Sequence, residues 1–238
     1  YQKLKVISAI GMFYDLEDPS EFIRDAFHAL DEDGVFIAQL MCLDSMIKKN
    51  DLGNVCHEHL EFYSYESLKY LFEKNGFKIY KVERNEINGG SYRVFCKKNI
   101  KKSIRVNEKT SLLEIKKFIK RVEINKEKCL NFLKKAKLKN KKIFLYGAST
   151  KGNTLLQYYG LDSKTISYAA ERSPEKWGKY TVGSGIKIIS EAKARSLKPD
   201  YFFVMPYGFI KEFVKREKKW IQKGGIFLLP YPFFKKVI

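Results

Sequence analysis

The sequence is poor in the residues that most often do chemistry: it has 3 histidines and 4 cysteines among 238 residues. The cysteines, Cys42, Cys56, Cys96 and Cys129, are dispersed and form no Cys-x-x-Cys pair, which argues against a structural zinc site within these residues. Scattered thiols suit a reducing compartment, so a cytoplasmic protein is expected. No run of about 18 apolar residues occurs, which excludes an ordinary membrane-spanning helix. The start, Tyr1-Gln2-Lys3-Leu4-Lys5, has neither signal-peptide architecture nor an initiator Met. It runs at once into the strand-like Val6-Ile7-Ser8-Ala9-Ile10, so the chain is expected to begin inside a domain. Low-complexity tracts and internal repeats are also lacking.

Acidic charge is the next shortage. Lys and Arg total 46 against 27 Asp and Glu, a formal net charge of +19. Such a balance raises the nucleic-acid class. Lysine greatly outnumbers arginine, however, and is spread over probable helix faces, whereas readers of bases and phosphates favour the planar arginine fork. The charge is therefore read as solvated surface that can steer an anionic small molecule, with no nucleic-acid and no membrane partner. What the sequence does have is apolar mass: 45% hydrophobic and 15% aromatic residues, enough for a packed core.

The first hundred residues alternate strand-like and helix-like segments. Val6 to Ile10 reads as a buried strand. Asp18-Pro19-Ser20-Glu21 is a helix start, with a capping residue, Pro and an acid in the first turn. Phe22, Ile23, Ala26, Phe27 and Leu30 then recur at helical spacing. Asp33-Gly34 reads as a turn and Val35 to Leu40 as a buried strand. Ser64-Tyr65-Glu66-Ser67 opens another helix, stopped at Asn75-Gly76, and two strands follow, Phe77 to Val82 and Ser91 to Cys96. This is the pattern of the second half of a doubly wound nucleotide-binding sheet, ending in an antiparallel pair. Residues 107 to 140 read as one long amphipathic helix with a stripe through Leu112, Ile115, Ile119, Val122, Leu130 and Leu133, bridging two domains. Strands at Ile143–Tyr146, Ile166–Ala170, Tyr201–Met205 and Ile226–Leu229 then predict a compact three-layer domain of about 100 residues.

Two of the three histidines flank one glutamate in Cys56-His57-Glu58-His59-Leu60, while His28 falls in the first helix. An imidazole exchanges protons near neutral pH, and an adjacent carboxylate can orient it. In an extended backbone His57 and His59 would share a face and Glu58 would take the other. Acid–base work, a metal pair lacking a third ligand, and a hydrogen-bonded structural cluster all remain open on these residues. Asn88-Gly89-Gly90-Ser91 permits positive φ and close backbone approach, and equally suits a plain hairpin turn. Gly147-Ala148-Ser149-Thr150-Lys151-Gly152-Asn153-Thr154 follows a strand and opens a helix, the context in which free N–H groups meet an anion. It is neither a phosphate loop nor Gly-x-Gly-x-x-Gly, and tight strand–helix packing explains it as well. Glu171 ends the next strand, where an acid can receive a ribose hydroxyl.

Taken in order, these segments resemble the sugar C-methyltransferases of deoxysugar pathways. The likeness is carried by Phe13-Tyr14-Asp15-Leu16-Glu17-Asp18-Pro19, by Asn54 to Ser64 with its His-Glu-His run, by Asn88-Gly89-Gly90-Ser91-Tyr92-Arg93 and by Tyr146 to Thr154. Lys176-Trp177-Gly178, Pro199-Asp200-Tyr201, Met205-Pro206-Tyr207 and Leu229-Pro230 continue it. The resemblance implies an α/β fold in which residues 1–100 are the C-terminal half of a class I methyltransferase Rossmann-like sheet. Residues 101–141 would be a long amphipathic connecting helix, and 142–238 a second Rossmann-like three-layer αβα domain. It implies S-adenosylmethionine as cofactor, with the glycine-rich loop upstream of this chain, and zinc only in a further N-terminal domain. No metal ligands are expected here. The implied reaction removes a proton beside a ketone and methylates the resulting enolate, with His59 as base, Glu58 beside it and His57 in support. Asn88, Gly89, Gly90, Ser91, Arg93, Tyr146, Gly147, Ser149, Lys151, Gly152, Asn153, Glu171 and Lys176 would line a sugar-nucleotide site. Three positions depart from the family's pattern: Cys56 stands where Tyr precedes the His-Glu-His run, no His stands near Phe13-Tyr14-Asp15, and Val182-Gly183-Ser184 replaces Pro-Gly-Thr. The alternative class is a non-methylating nucleotide-sugar-binding enzyme or an NAD-type Rossmann protein.

Overall fold

Asp18 and Ser64 cap the two helices that carry most of the first unit's core. Asp18 accepts the Glu21 N–H at 2.9 Å, with Pro19 at the first helical position, and Ser64 accepts the Ser67 N–H at 3.1 Å. Each such cap contributes about 1 kcal/mol. The computed structural model describes residues 2–238, and Tyr1 lies outside the described residues. The chain divides into two units, 1–49 with 57–116, and 50–56 with 117–238.

The first unit holds β1 (Leu4–Ile10), α1 (Pro19–Ala29), β2 (Leu30–Met41), α2 (Leu43–Lys49), α3 (Tyr65–Lys74), β3 (Lys78–Asn85) and β4 (Ser91–Lys97). Its sheet order is β1-β2-β4-β3, with β1 parallel to β2 and the rest antiparallel. The expected antiparallel pair is thus the β3–β4 hairpin. Alternation sends Phe36, Ala38, Leu40, Tyr92, Val94 and Cys96 to the face covered by Ile23 and Ala26 of α1 and Leu68 and Phe72 of α3. Phe36, Phe72 and Phe77 meet with centroids 5.5 to 6.3 Å apart.

Three expectations need correction in this unit. β1 is not a buried strand: Val6 is 59% and Ile10 52% exposed, because β1 lies at the sheet edge and only its Ile7–Ala9 side meets the core. Leu30 is not on the helix. It caps α1 in extended conformation and begins β2. Asp33-Gly34 does not interrupt the strand. Leu4 pairs with Leu30 and Val6 with Val35, so Asp31 to Gly34 are absorbed as an irregularity in which Asp31 accepts the Asp33 N–H.

The long helix α4 runs over Leu112–Leu138, shorter than expected at both ends. Residues 101–111 are held otherwise: Ser103 Oγ accepts the Ile79 N–H, and Glu108 accepts the Tyr65 N–H and the Tyr92 hydroxyl. The buried stripe is Phe118, Val122, Asn125, Cys129, Leu133 and Ala136, while Leu112 and Ile119 point outward. Counting only large apolar residues shifted the phase, because a polar Asn and a small Ala belong to the inner face. Asn125 earns its buried place by donating to the Tyr159 hydroxyl and the Pro230 carbonyl and accepting the Phe234 N–H.

The second unit contains β5 (Ile143–Tyr146), α5 (Thr150–Tyr159), β6 (Tyr168–Glu171), β7 (Ile188–Ser190), α6 (Glu191–Ser196), β8 (Tyr201–Val204), α7 (Ile210–Arg216), α8 (Lys218–Ile221), β9 (Ile226–Leu229) and β10 (Lys235–Val237). Sheet order is β10-β9-β8-β5-β6-β7, parallel except for β10. β7 and β10, three residues each, were not visible in the sequence. Both faces are covered. Ile143 and Leu145 pack with Leu133 and Leu155, while Phe144 and Tyr146 pack with Ala194, Phe213 and Trp220. Successive β-strand residues thus face different helical layers, which explains their continuous apolar runs.

Candidate functional site

In a sheet with parallel strands and covering helices, ligands gather at the carboxyl ends of the strands. In the first unit that end carries the His-Glu-His run. After β1 the chain passes Gly11 into a short turn, Phe13–Asp15, whose Phe13 and Tyr14 are buried. The Tyr14 carbonyl accepts the N–H groups of Leu60 and Glu61 at 3.0 and 3.1 Å, and the Tyr63 carbonyl accepts the Leu43 N–H at 3.0 Å. Residues 60–63 are therefore strung across the carboxyl ends of β1 and β2. His57 and Glu58 form an exposed turn rather than a strand, so the shared-face geometry of an extended backbone does not arise. His59 is half-buried and meets the Tyr14 ring edge-on, with centroids 4.7 Å apart and planes at 68°.

Asp15, which the residue-level reading did not single out, stands in this cluster. Burial lifts its pKa above the ordinary carboxyl value, His59 opposes that lift, and Glu58 adds to it. Its signal in the sequence was its position just past a strand's carboxyl end. Among the described residues no group of three or more His, Cys, Asp or Glu forms a metal-binding set. Cys56 is half-exposed and free, whereas Cys42, Cys96 and Cys129 are buried.

Asn88 to Ser91 close the β3–β4 hairpin, whose Asn85 and Ser91 still pair. Asn88, Gly89 and Gly90 all have positive φ, at 53°, 86° and 130°. Gly90 is required there on two counts: a Cβ would meet the Ser45 Cβ at 2.4 Å, and φ is strained for any side chain. The Gly90 carbonyl accepts the Cys42 N–H at 3.1 Å, which fixes this turn to the carboxyl end of β2. The turn and the His59 segment thus lie at one end of one sheet. Ser91 is buried and donates to the Ile87 carbonyl. Arg93, mid-strand, gives its Nε–H to Gln39 Oε1 at 2.9 Å and lies 3.5 Å from Glu83.

The remaining site residues belong to the second unit. Tyr146 to Asn153 follow β5, which sits between β6 and β8, so the loop occupies the point where the strand order reverses. Gly147 has φ 84° and a Cβ there would meet the Pro206 ring at 2.9 Å. Ser149 caps α5 through the Gly152 N–H, Asn153 donates its N–H to the Ser149 carbonyl, and Gly152 packs under Met205. Lys151 Nζ donates to Asn54 Oδ1 at 2.5 Å, and Asn54 Nδ2 donates to Asp51 at 3.0 Å. Tyr146 presents no side chain to this loop. Its ring is buried, and its hydroxyl donates to Glu217 at 2.8 Å and accepts from Arg216.

Glu171 accepts three backbone N–H groups, from Ala148, Arg172 and Ser173, at 2.8 to 3.1 Å. Lys176 Nζ lies 3.8 Å away and donates to the Ala148 carbonyl. Burial alone would raise the Glu171 pKa. The three N–H groups and Lys176 outweigh it and hold the carboxyl below its ordinary value. Glu171 and Lys176 therefore brace the loop from the end of β6.

Residues 86–232 match the family described as C-methyltransferase C-terminal domain, and residues 2–82 match that described as methyltransferase domain. The C-methyltransferase NovU of Streptomyces niveus is 27% identical over 232 residues, covering 92% of this chain and 55% of NovU. The chain spans about half the length of that curated relative. A solved structure titled as that of LaPhzM overlaps 40% of this chain and 30% of its own, at 18% identity and a TM-score of 0.32, too slight a likeness to argue from.

Proposed function

Because the chain belongs to the family of the C-methyltransferase C-terminal domain, we propose that it works within an S-adenosylmethionine-dependent C-methyltransferase acting on a keto-deoxysugar nucleotide. The observation that carries this reading is the docking of the His59 segment on the Tyr14 carbonyl, at the carboxyl end of a sheet that lies in a methyltransferase-type region. His59 takes the proton from the carbon beside the ketone, and the electron pair moves onto the carbonyl oxygen as an enolate. Glu58 and His57 flank the base. The Asn88–Ser91 turn with Arg93 contributes to the sugar side. The second unit's loop from Tyr146 to Asn153, with Glu171 and Lys176, is by itself a candidate for binding a phosphate-bearing group at the start of α5, with Tyr146 acting from the core beneath it.

S-adenosylmethionine supplies the methyl group. In the first unit the loop after β1 carries Gly11 alone, and the Gly89-Gly90 pair closes the β3–β4 hairpin. These residues do not fit the cofactor by themselves, and the chemistry derived from them is the proton removal. In this reading residues 1–100 are the partial class I sheet, 101–141 the connecting segment and 142–238 the Rossmann-like unit of a cytoplasmic enzyme. Among the described residues no helix is long and apolar enough to cross a membrane.

The order β10-β9-β8-β5-β6-β7, with its reversal at β5, also favours a second reading, nicotinamide binding by the second unit. Calorimetry on the intact natural protein separates the two. Saturable binding of S-adenosylmethionine with methyl transfer to a keto-sugar nucleotide is expected, and saturable NAD binding without it would overturn the methyltransferase reading.

A further inference from the structure

Gln39 is the only polar side chain between Val35 and Met41, a stretch of β2 that is otherwise apolar. It is 5% exposed. Its backbone carbonyl accepts the Gly11 N–H at 2.9 Å, where β1 gives way to the Phe13–Asp15 turn. A buried amide in such a strand costs stability unless its groups are bonded. Half of this amide is satisfied: Oε1 accepts the Arg93 Nε–H at 2.9 Å and the Asn85 Nδ2–H at 3.4 Å. The other half is not. Nε2 carries two N–H groups, and neither has a partner among the described residues. Nor is that nitrogen sealed from solvent, as the Tyr63 hydroxyl is.

Arg93 stands beside Gln39, in register with it across the β2–β4 ladder. Its Nη1 lies 3.5 Å from Glu83, which Lys81 also holds at 2.7 Å. Its Nη2 has no partner among the described residues, and the side chain is 39% exposed. In a planar guanidinium Nη2 shares an edge with the Nε–H, and Gln39 Nε2 shares a carbon with the Oε1 that this N–H meets. The two unused donors are therefore neighbours by covalent geometry. Two cations, Arg93 and Lys81, stand against the single Glu83 carboxylate, so the local charge is positive.

We propose that Gln39 and Arg93 form an oxyanion-binding pair within the first unit, which takes a phosphate group borne by the sugar of the substrate. The sugar is that of the proposed function, on which this part of the assignment rests, whereas the preference for an oxyanion follows from the donors alone. Guanidinium and amide N–H groups side by side match the several acceptor oxygens of one phosphate. Arg93 supplies the charge and the fork. Gln39 Oε1 fixes the direction of that fork, and Nε2 adds a neutral donor next to it. Both residues bind, and neither makes nor breaks a bond.

Calorimetry and inhibition kinetics with inorganic pyrophosphate, in the intact natural protein, test this. Pyrophosphate is expected to bind the wild type and to compete with the sugar nucleotide. Arg93→Met is expected to weaken that binding and to raise KM for the sugar nucleotide at least about tenfold, with kcat within about twofold, since uniform binding is what is lost. Gln39→Glu keeps the acceptor for Arg93 but puts a negative charge in place of two N–H groups, and a loss of similar size is expected. Arg93→Lys keeps the charge beside Glu83 without the fork and should lose about threefold. It carries the test if Arg93→Met folds poorly by circular dichroism. Unchanged pyrophosphate affinity and KM in folded variants at both positions would overturn the pair as a binding site and leave a cross-strand ladder that only stabilises the sheet. Weakened pyrophosphate binding at both positions, in a protein that does not accept a keto-sugar nucleotide, would keep the pair and remove the substrate reading instead.

Discussion

In the second unit every central strand is covered on two sides: β5 divides Ile143 and Leu145 from Phe144 and Tyr146, and each pair meets its own helical layer. In the first unit one side is packed and the other is not. Leu4, Val6 and Ile10 of β1 are half-exposed or more, and along the same face Ile10, Gln39, Arg93 and Glu83 line up across β1, β2, β4 and β3. The candidate groups follow this difference. The loop of the second unit is braced by its own caps and by Glu171, while the His-Glu-His turn of the first is held through backbone at Tyr14 and leaves His57 and Glu58 in solvent.

The contrast breaks most sharply at Gly90. Gly90→Ala combines a positive φ with a Cβ driven into Ser45 and is expected to cost roughly 2–6 kcal/mol of first-unit stability, the sum of backbone strain and overpacking. Denaturant unfolding followed by separate probes in each unit would show the loss in one transition only.

Glu171→Gln tests the bracing of the second unit. Replacing a carboxylate that accepts three N–H groups is expected to cost about 1–3 kcal/mol at neutral pH. Because the folded pKa is depressed, that stabilisation is present above the unfolded value of about 4.3 and fades as pH falls through the folded value. The gap between wild type and variant in thermal unfolding should therefore shrink in acid. Tyr146→Phe should cost about 1–3 kcal/mol through the lost donor to Glu217, which Arg195 still holds at 2.7 Å, and the lost acceptor of Arg216. It should leave sugar-nucleotide affinity unchanged, and a large rise in Kd would give Tyr146 a direct contact with substrate. The smallest effect on folding belongs to Val6→Lys, under about 0.5 kcal/mol at an exposed position. Sedimentation should nonetheless show less self-association, since the change charges an apolar edge strand.

Much of this architecture was legible from periodicity. The caps at Asp18 and Ser64 stand where cap chemistry puts them, and the β3–β4 pair and the short apolar runs at Ile143 and Ile226 are strands, because each is fixed by local rules. What failed depended on the partner across space. Val6 looks like a core residue until its strand is found at an edge, and the inner stripe of α4 runs through Asn125, whose burial is explained only by Tyr159 and residues 230–234. The candidate residues were legible as types but not as groupings. Nothing local ties Asn54 to Lys151 or the Tyr14 carbonyl to Leu60, and the extended geometry imagined for His57 and His59 gave way to a turn.

The account turns on one proton. Deuterium exchange at the carbon beside the ketone, measured in the intact natural protein without methyl donor turnover, reports its removal directly. Exchange in the wild type and its loss in His59→Asn, with substrate affinity retained, is the expected result. Undiminished exchange in that variant would contradict the assignment of His59 as the base.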